Sequence, residues 1–122
     1  MATIPHYAAL ALSPLIAPVA GAAPYSYDLS GDQFVLMMTH AEPLSAAHYA
    51  DREKAYSYLD GAKDATIGRA WCPPRPRKTF ELAYDAADHL KTLTPAARAG
   101  NAATLLVVYL EARYPCMKGT RK

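Results

Sequence analysis

The sequence predicts an all-α fold, a compact bundle of four to five helices with one disulfide, and three observations support this prediction. Apolar residues recur at three- and four-residue steps over most of the chain after residue 30, which is the period of amphipathic helices. Capping and stop signals bracket these segments, and none alternates polar and apolar residues for the length of a strand. The chain of 122 residues, 52% hydrophobic and 20% charged, fits one domain with an ordinary core.

The N-terminal residues have the pattern of a secretory signal. Residues 8–23 read AALALSPLIAPVAGAA, an uncharged run that ends in small residues, as a signal peptide does before its cleavage site. We therefore expect residues 1–22 to be a signal peptide and residues 23–122 to form a single helical domain. The alternatives are a transmembrane helix or a first core helix. Both are disfavoured, because Pro14 and Pro18 interrupt the run and a bilayer span needs roughly 20 residues.

Serine caps mark the first two helices. Ser30, followed three residues later by Gln33, forms a capping box that predicts a helix over residues 31–39. Its predicted buried residues are Phe34, Met37 and Met38. Ser45 predicts a second helix over residues 46–66, with an apolar face formed by Tyr49, Ala55, Tyr56, Leu59, Ala62 and Thr66.

The second half of the chain predicts two more helices. Residues 78–93 form the third, with a buried face made of Phe80, Ala83, Tyr84, Ala87 and Leu90. Thr94 followed by Pro95 is a cap with proline at the first helical position, and it predicts a fourth helix that continues to Arg113. Residues 102–110, AATLLVVYL, are apolar nearly all round, which predicts that this helix is the central one.

The two cysteines lie where they could join the second half of the bundle to the end of the chain. Cys72 lies between the second and third helices in GRAWCPP, and Cys116 follows the last helix in RYPC. If these ends meet, a disulfide that closes a loop of about 45 residues stabilises the fold by about 4 kcal/mol in the chain-entropy model. Because such a bond persists only in an oxidising compartment, we expect a disulfide in an exported protein. Two separate buried thiols in a cytosolic protein are the alternative.

The sequence contains no recognisable catalytic arrangement. Asp85 and His89, four residues apart on the third helix, could bracket a metal ion, but a third ligand at matching spacing is absent. G-x-S-x-G, glycine-rich phosphate loops and H-E-x-x-H are absent as well. The net charge of +2 is too small for binding to a phosphate backbone. We expect no enzymatic activity, no metal, no cofactor, no nucleic-acid partner and no membrane span in the mature chain.

Two sets of side chains are candidates for contact with a protein partner. The densest basic cluster is formed by Arg69, Arg75, Arg77 and Lys78. This cluster could contact an acidic protein surface or an anionic cell-wall polymer, because arginine binds carboxylates bidentately. The alternative is a solvated loop whose charges cap carbonyls at a helix end. Among nine tyrosines, those that fit the core stripes least well are Tyr25, Tyr27, Tyr58 and Tyr114. These are interface candidates because Tyr is enriched in interface anchors; burial within the same molecule is the alternative.

The order of these segments resembles the Tai/Rap family, immunity proteins paired with amidase effectors of type VI secretion. Family members show a G-Y-I-x-G-x-x-D-A-like helix, a C-x-P turn, a Y-L-x-x-x-P segment, an A-A-x-L-V-like helix and a closing P-C. The matching residues are Tyr58, Leu59, Gly61, Asp64, Ala65, Cys72, Pro74, His89, Leu90, Pro95, Ala102, Ala103, Leu105, Pro115 and Cys116. Two departures stand out. Pro95 lies one place later than the pattern, and the earlier cysteine pair of the family is replaced by the region 37–40 and by Ala55.

The resemblance implies a periplasmic, non-catalytic helical protein, often dimeric, that binds an incoming peptidoglycan amidase and occludes its active-site groove. The implied partners are a cognate amidase effector and a second copy of the chain. The alternative function is a periplasmic structural or stress-related helical protein that shares the fold without an effector partner.

Overall fold

A computed structural model describes residues 26–117, and this part of the chain contains five helices and no named strand. The helices are α1 (Gly31–Met38), α2 (Ala46–Thr66), α3 (Thr79–Lys91), α4 (Pro95–Arg98) and α5 (Ala102–Arg113). The prediction of an all-α bundle is confirmed. The predicted signal peptide lies outside the described residues. No helix within residues 26–117 is long and apolar enough to cross a membrane.

The serine caps predicted for α1 and α2 are both present. At α1 the Ser30 hydroxyl accepts a hydrogen bond from the Gln33 amide at 3.2 Å, and the Gln33 side chain accepts one from the Ser30 amide at 2.8 Å. This reciprocal pair satisfies two amides that a helix start leaves without partners. At α2 the Ser45 hydroxyl accepts from the His48 amide at 3.1 Å. Both helices therefore begin at the residues that the sequence predicts.

The predicted fourth helix is wrong as a single element, because it breaks between Arg98 and Ala102. Asn101 caps α5, its side chain accepting hydrogen bonds from the amides of Ala103 at 2.8 Å and Thr104 at 3.3 Å. The Gly100 carbonyl accepts from the Gly31 amide at 3.0 Å. The backbone therefore leaves the helical path here to pair with the segment before α1, and Gly100-Asn101 is a stop and a cap in sequence.

The core lies between α1, α2, α3 and α5, which all pack against one another. Its largest fully buried side chains are Trp71, Phe34, Met38, Leu59, Leu82, Leu90, Leu106 and Leu110. Trp71 enters the core from the loop between α2 and α3, and its indole N–H donates to the Lys63 carbonyl at 3.1 Å. The loop that carries Cys72 is therefore anchored by a buried aromatic side chain.

The buried face of α3 differs from the predicted one. It consists of Leu82, Ala83, Ala86, Ala87 and Leu90, whereas Phe80 is 47% and Tyr84 40% exposed. Alanines on this face let other helices approach closely, and the two aromatic rings lie at its edge. There they are covered in part by cations, with Lys78 5.8 Å from the Phe80 ring centre and Arg52 5.5 Å from that of Tyr84. Predicting them as core was wrong.

Two further burial predictions need correction. Tyr49 of α2 is largely exposed rather than part of the apolar face. Helix α5 is also not surrounded on all sides, since Val108 is 55% exposed. Val108 borders an open groove between α5 and α2. The other helices therefore leave part of the apolar surface of α5 uncovered.

Candidate functional site

One end of the bundle is closed by the disulfide, and we call it the disulfide end: residues 69–78 between α2 and α3, together with residues 113–117 after α5. The sulfurs of Cys72 and Cys116 are 2.01 Å apart and their Cα atoms 4.8 Å apart, which is the geometry of a formed disulfide. The expected bond is confirmed. Beside it the Cys72 amide donates to the Tyr114 carbonyl at 2.8 Å, so the two segments are joined covalently and by hydrogen bonding.

Tyr114 is the structural centre of this end. Its side chain is only 8% exposed, and its ring packs against that of Trp71 with centroids 6.0 Å apart. The Arg77 guanidinium donates to the Tyr114 hydroxyl at 2.6 Å and lies 5.0 Å from the ring centre. The Arg113 guanidinium lies 6.0 Å from the same centre. Tyr114 thus holds two arginines near one another by hydrogen bonding and cation–π attraction.

The basic cluster predicted from sequence divides into two parts. The Arg69 guanidinium donates to the Ala65 carbonyl at the end of α2, so this residue caps a helix, as the alternative reading held. Arg75 and Lys78 are exposed, and Arg77 lies against Tyr114. The disulfide adds Arg113 to these three. Their contact with a partner stays a prediction.

The tyrosines put forward as interface candidates form contacts within the chain. The Tyr58 hydroxyl accepts a hydrogen bond from the Ala103 amide at 3.2 Å and so joins α2 to the start of α5. The Tyr27 hydroxyl donates to the Ala99 carbonyl at 2.8 Å. Tyr25 lies outside the described residues. Tyr58 and Tyr114 therefore support neighbouring elements, and a role of either in partner binding stays a prediction.

Sequence reasoning missed the contributions of Arg113 and Trp71. Arg113 stands directly before Tyr114 in RYPC, so the expected crosslink alone already placed it near the Cys72 loop. Trp71 stands directly before Cys72, and its burial is the contact that fixes the loop. In both cases the signal was a position within three residues of a cysteine that was itself predicted to be bridged.

An open depression of about 650 Å³ lies at the disulfide end. Its lining residues are Cys72, Pro74, Arg113, Tyr114, Pro115 and Met117. Most of this lining is apolar or sulfur-containing, and cationic side chains stand next to it. An apolar centre beside charged groups is a common arrangement at protein interfaces.

A second concave surface, which we call the α2–α5 groove, has a volume of about 360 Å³. Its lining residues are Ala62, Ala65, Thr66, Ala103, Thr104, Val107 and Val108. The lining contains no charged residue, and small side chains form most of it. Such a surface allows another apolar segment to approach closely.

A polar cluster joins α2 to the start of α3 close to the disulfide end. The Lys63 ammonium group donates to the Thr79 hydroxyl at 2.9 Å and to the Asp60 carboxylate at 3.1 Å, and the Thr79 hydroxyl donates to the same carboxylate. Burial opposes ionisation of Asp60, but the hydrogen bonds from Thr79 and Lys63 outweigh it and hold the pKa of Asp60 below its ordinary value.

The described residues contain no group of His, Cys, Asp or Glu side chains arranged to hold a metal ion. Asp85 and His89, which sequence spacing put forward as ligands, are exposed on α3. The His89 ring packs against Tyr109 with centroids 5.3 Å apart. The surfaces at the disulfide end and in the α2–α5 groove are suited to contact with another macromolecule.

A protein-family model described as Rap1a immunity proteins matches residues 30–116. No curated protein matches the chain. The matched stretch begins at the N-cap of α1 and ends at Cys116, so it contains all the described helices and both cysteines.

Proposed function

The chain belongs to the Rap1a immunity protein family, and on that premise we propose that it binds a peptidoglycan amidase effector of type VI secretion and inhibits it by occluding its active-site groove. The family consists of immunity proteins against type VI effectors. The observation that carries the proposal is the family match across residues 30–116. The amidase as target comes from the resemblance of the sequence motifs described above.

The proposed location is the periplasm, where a peptidoglycan amidase meets its substrate. Two features support this location. The Cys72–Cys116 disulfide is a bond that oxidising compartments maintain, and residues 1–22 have the pattern of a signal peptide.

The proposed mechanism is steric. Blocking a groove requires a complementary surface and no reactive group. A rigid surface binds more tightly, because less conformational entropy is lost on binding. The disulfide end has this rigidity. Its loop contains Pro73, Pro74 and Pro76, is anchored by buried Trp71 and is crosslinked at Cys72. Preorganisation of this kind favours tight binding of an enzyme cleft.

The experiment is an inhibition assay with a purified peptidoglycan amidase effector of type VI secretion, and the product of the gene adjacent to this one is the first effector to test. Purified peptidoglycan is incubated with the amidase and increasing amounts of the protein, and released peptides are quantified. We expect hydrolysis to disappear near equimolar protein, while a muramidase, which cleaves the glycan strand, stays fully active as the control. The protein alone should release nothing.

Unchanged hydrolysis with a molar excess of the protein, together with no complex on size-exclusion chromatography, would contradict the proposal. That result favours the alternative of a helical periplasmic protein without an effector. Inhibition of the muramidase as well would indicate that the protein shields peptidoglycan itself.

We also propose that the protein forms a homodimer through the α2–α5 groove. The groove exposes Val108 on α5, and neighbouring Ile67 after α2 is 53% exposed. A two-fold axis beside this surface brings the same apolar patch of each copy together, which is the usual form of a dimer interface. Light scattering should give the dimer mass for the wild type and the monomer mass for Val108→Arg. A monomeric wild type at about 100 μM contradicts this proposal.

A further inference from the structure

The described cations fall into two groups according to their ion pairs. Away from the disulfide end most are paired: Arg52 with Glu42, Lys63 with Asp60, Lys91 with Asp88 and Arg98 with Asp32. Within residues 26–117 the cations of the disulfide end form no ion pair: Arg69, Arg75, Arg77, Lys78 and Arg113. Positive charge that the fold leaves uncompensated is therefore concentrated at one end of the bundle.

The carboxylates nearest this end do not compensate the charge. Asp60 is already bonded to Lys63 and Thr79. The other carboxylates on the neighbouring segments of α2, α3 and α5 are exposed and form no ion pair with the described cations: Asp64, Glu81, Asp85 and Glu111. An incoming carboxylate thus meets cations that are not paired with any carboxylate in the described part of the protein.

Two of these cations are already ordered. Arg77 is held by its hydrogen bond to Tyr114, and Arg113 lies beside the same ring. The Nε atom of Arg77 is buried and has no hydrogen-bond partner among the described residues. Because a guanidinium held in place loses less side-chain freedom on pairing with a carboxylate, it is a better recognition group than a free one.

The depression beside these cations adds an apolar contact. Pro74, Pro115 and Met117 line it together with Cys72, and its volume is about 650 Å³. This volume suffices for one or two side chains of a partner. A phosphate backbone or an anionic polymer uses the cations and leaves such a depression empty, whereas a protein segment with both acidic and apolar side chains uses both features.

We propose that the disulfide end is the surface on which the effector docks, and that the docking segment of the effector is acidic. Its carboxylates pair with Arg75, Arg77 and Arg113, and an apolar side chain between them enters the depression. The inference rests on the proposed function, since it assigns the surface and the partner chemistry of that same interaction. Charge complementarity of this kind accelerates association and fixes orientation.

The test compares two double charge reversals that change net charge equally. Arg75→Glu/Arg113→Glu alters the disulfide end, and Lys54→Glu/Lys91→Glu alters exposed cations on α2 and α3. Binding of each variant to the purified amidase effector that the wild-type protein inhibits is measured by surface plasmon resonance at low and high salt. Melting temperatures confirm that both variants fold.

We expect the association rate constant of Arg75→Glu/Arg113→Glu to fall at least about tenfold at low salt, with a smaller loss at high salt. The control variant should stay within about twofold of the wild type at both salt concentrations. Wild-type affinity of Arg75→Glu/Arg113→Glu, or an equal loss in both variants, overturns the docking surface while the proposed function stands. No binding by the wild-type protein overturns the proposed function, and the docking surface with it.

A sedimentation assay with purified peptidoglycan tests whether these cations bind an anionic cell-wall polymer instead of the effector. In one outcome Arg75→Glu/Arg113→Glu still binds the amidase but no longer sediments with peptidoglycan, whereas the control variant does. The cations then bind an anionic cell-wall polymer. That result overturns the assignment of this surface to the effector.

Discussion

The two ends of the bundle are closed by different forces. At the disulfide end a covalent bond joins residues 69–78 to residues 113–117. At the opposite closure, which we call the bridge end, residues 27–32 meet residues 98–102 through hydrogen bonds and one ion pair. Ser30 and Asn101 form an isolated antiparallel bridge there, and the Ala102 amide donates to the Leu29 carbonyl at 2.9 Å.

The bridge end is internally satisfied. The Arg98 guanidinium donates to Asp32 at 2.9 Å and also to the carbonyls of Lys91 and Leu93. Its polar groups are therefore engaged within the chain. At the disulfide end the crosslink is added to the packing of Trp71 and Tyr114, and the cations form no ion pair within the described residues. The two ends therefore differ in how charge is treated: the bridge end pairs its arginine with a carboxylate, whereas the disulfide end does not.

The largest expected effect comes from removing the crosslink. Cys72→Ser/Cys116→Ser should lower the free energy of unfolding by about 4 kcal/mol, because the bond closes a loop with a sequence separation of 44 residues. Urea denaturation measures the change. Reduction of the wild-type protein should match the double variant. A loss below about 1 kcal/mol contradicts the covalent closure of this end.

The next largest effect belongs to the bridge end, at Gly31. A Cβ atom at this position meets the Arg98 carbonyl oxygen and a Leu105 methyl carbon, each at 2.6 Å, so Gly31→Ala should cost about 2–3 kcal/mol through overpacking. Gly61→Ala is the matched control, since nothing lies within 4 Å of its Cβ. Because position 61 is an exposed helix position, Gly61→Ala should raise the free energy of unfolding by up to about 1 kcal/mol.

Denaturant midpoints of the two glycine variants test whether the backbone at Gly31 is in close contact with its neighbours. Opposite signs support close backbone contact at the bridge end. Equal and small effects for Gly31→Ala and Gly61→Ala show that the bridge end tolerates separation of α1 from the start of α5.

A smaller effect is expected from the cap of α5. Asn101→Ala removes the side-chain acceptor for the amides of Ala103 and Thr104 and should cost about 1 kcal/mol. Asn101→Asp keeps an acceptor and should recover most of the loss. Thermal melting followed by circular dichroism is the measurement. Equal loss in both variants shows that the cap does not stabilise the break between α4 and α5.

The smallest effect concerns the polar cluster beside the disulfide end. Thr79→Val removes a hydrogen bond that lowers the pKa of Asp60, so this pKa should rise towards its ordinary value, as NMR titration measures. Because the folded pKa lies below the unfolded one, the stabilisation is present above the unfolded pKa and is lost as pH falls through the folded pKa. The half-exposed carboxylate keeps this contribution below about 1 kcal/mol. An unchanged Asp60 pKa contradicts the role of Thr79.

Local signals explain which parts of the fold could be predicted. The capping box at Ser30, the cap at Ser45 and the pairing of Cys72 with Cys116 each depend on residue types at fixed spacings, and all are confirmed. The break before Ala102 was missed although Gly100-Asn101 signals it, because the apolar run on either side suggested one continuous helix. The long apolar pattern was given more weight than the local stop at Gly100-Asn101. In the fold this stop is reinforced by the pairing of residues 100–101 with residues 30–31.

Burial and the candidate site were harder to predict, because they depend on contacts between distant segments. Periodicity treated Phe80 and Tyr84 as core, but the alanine face of α3 packs inward instead. Tyr114 was expected at an interface, and it is buried beneath Arg77 and Arg113. Only the folded crosslink brings Arg113 to Arg77, so sequence reasoning found most of the basic cluster without the ring that orders it.

The proposed docking surface places the effector on the disulfide end and leaves the bridge end free. Hydrogen–deuterium exchange of the protein, measured with and without the purified effector that it binds, tests this docking surface. We expect slower exchange in residues 69–78 and 113–117 on complex formation, with residues 27–32 and 98–102 unchanged. Protection confined to residues 27–32 and 98–102, or unchanged exchange at the disulfide end in a saturated complex, contradicts it.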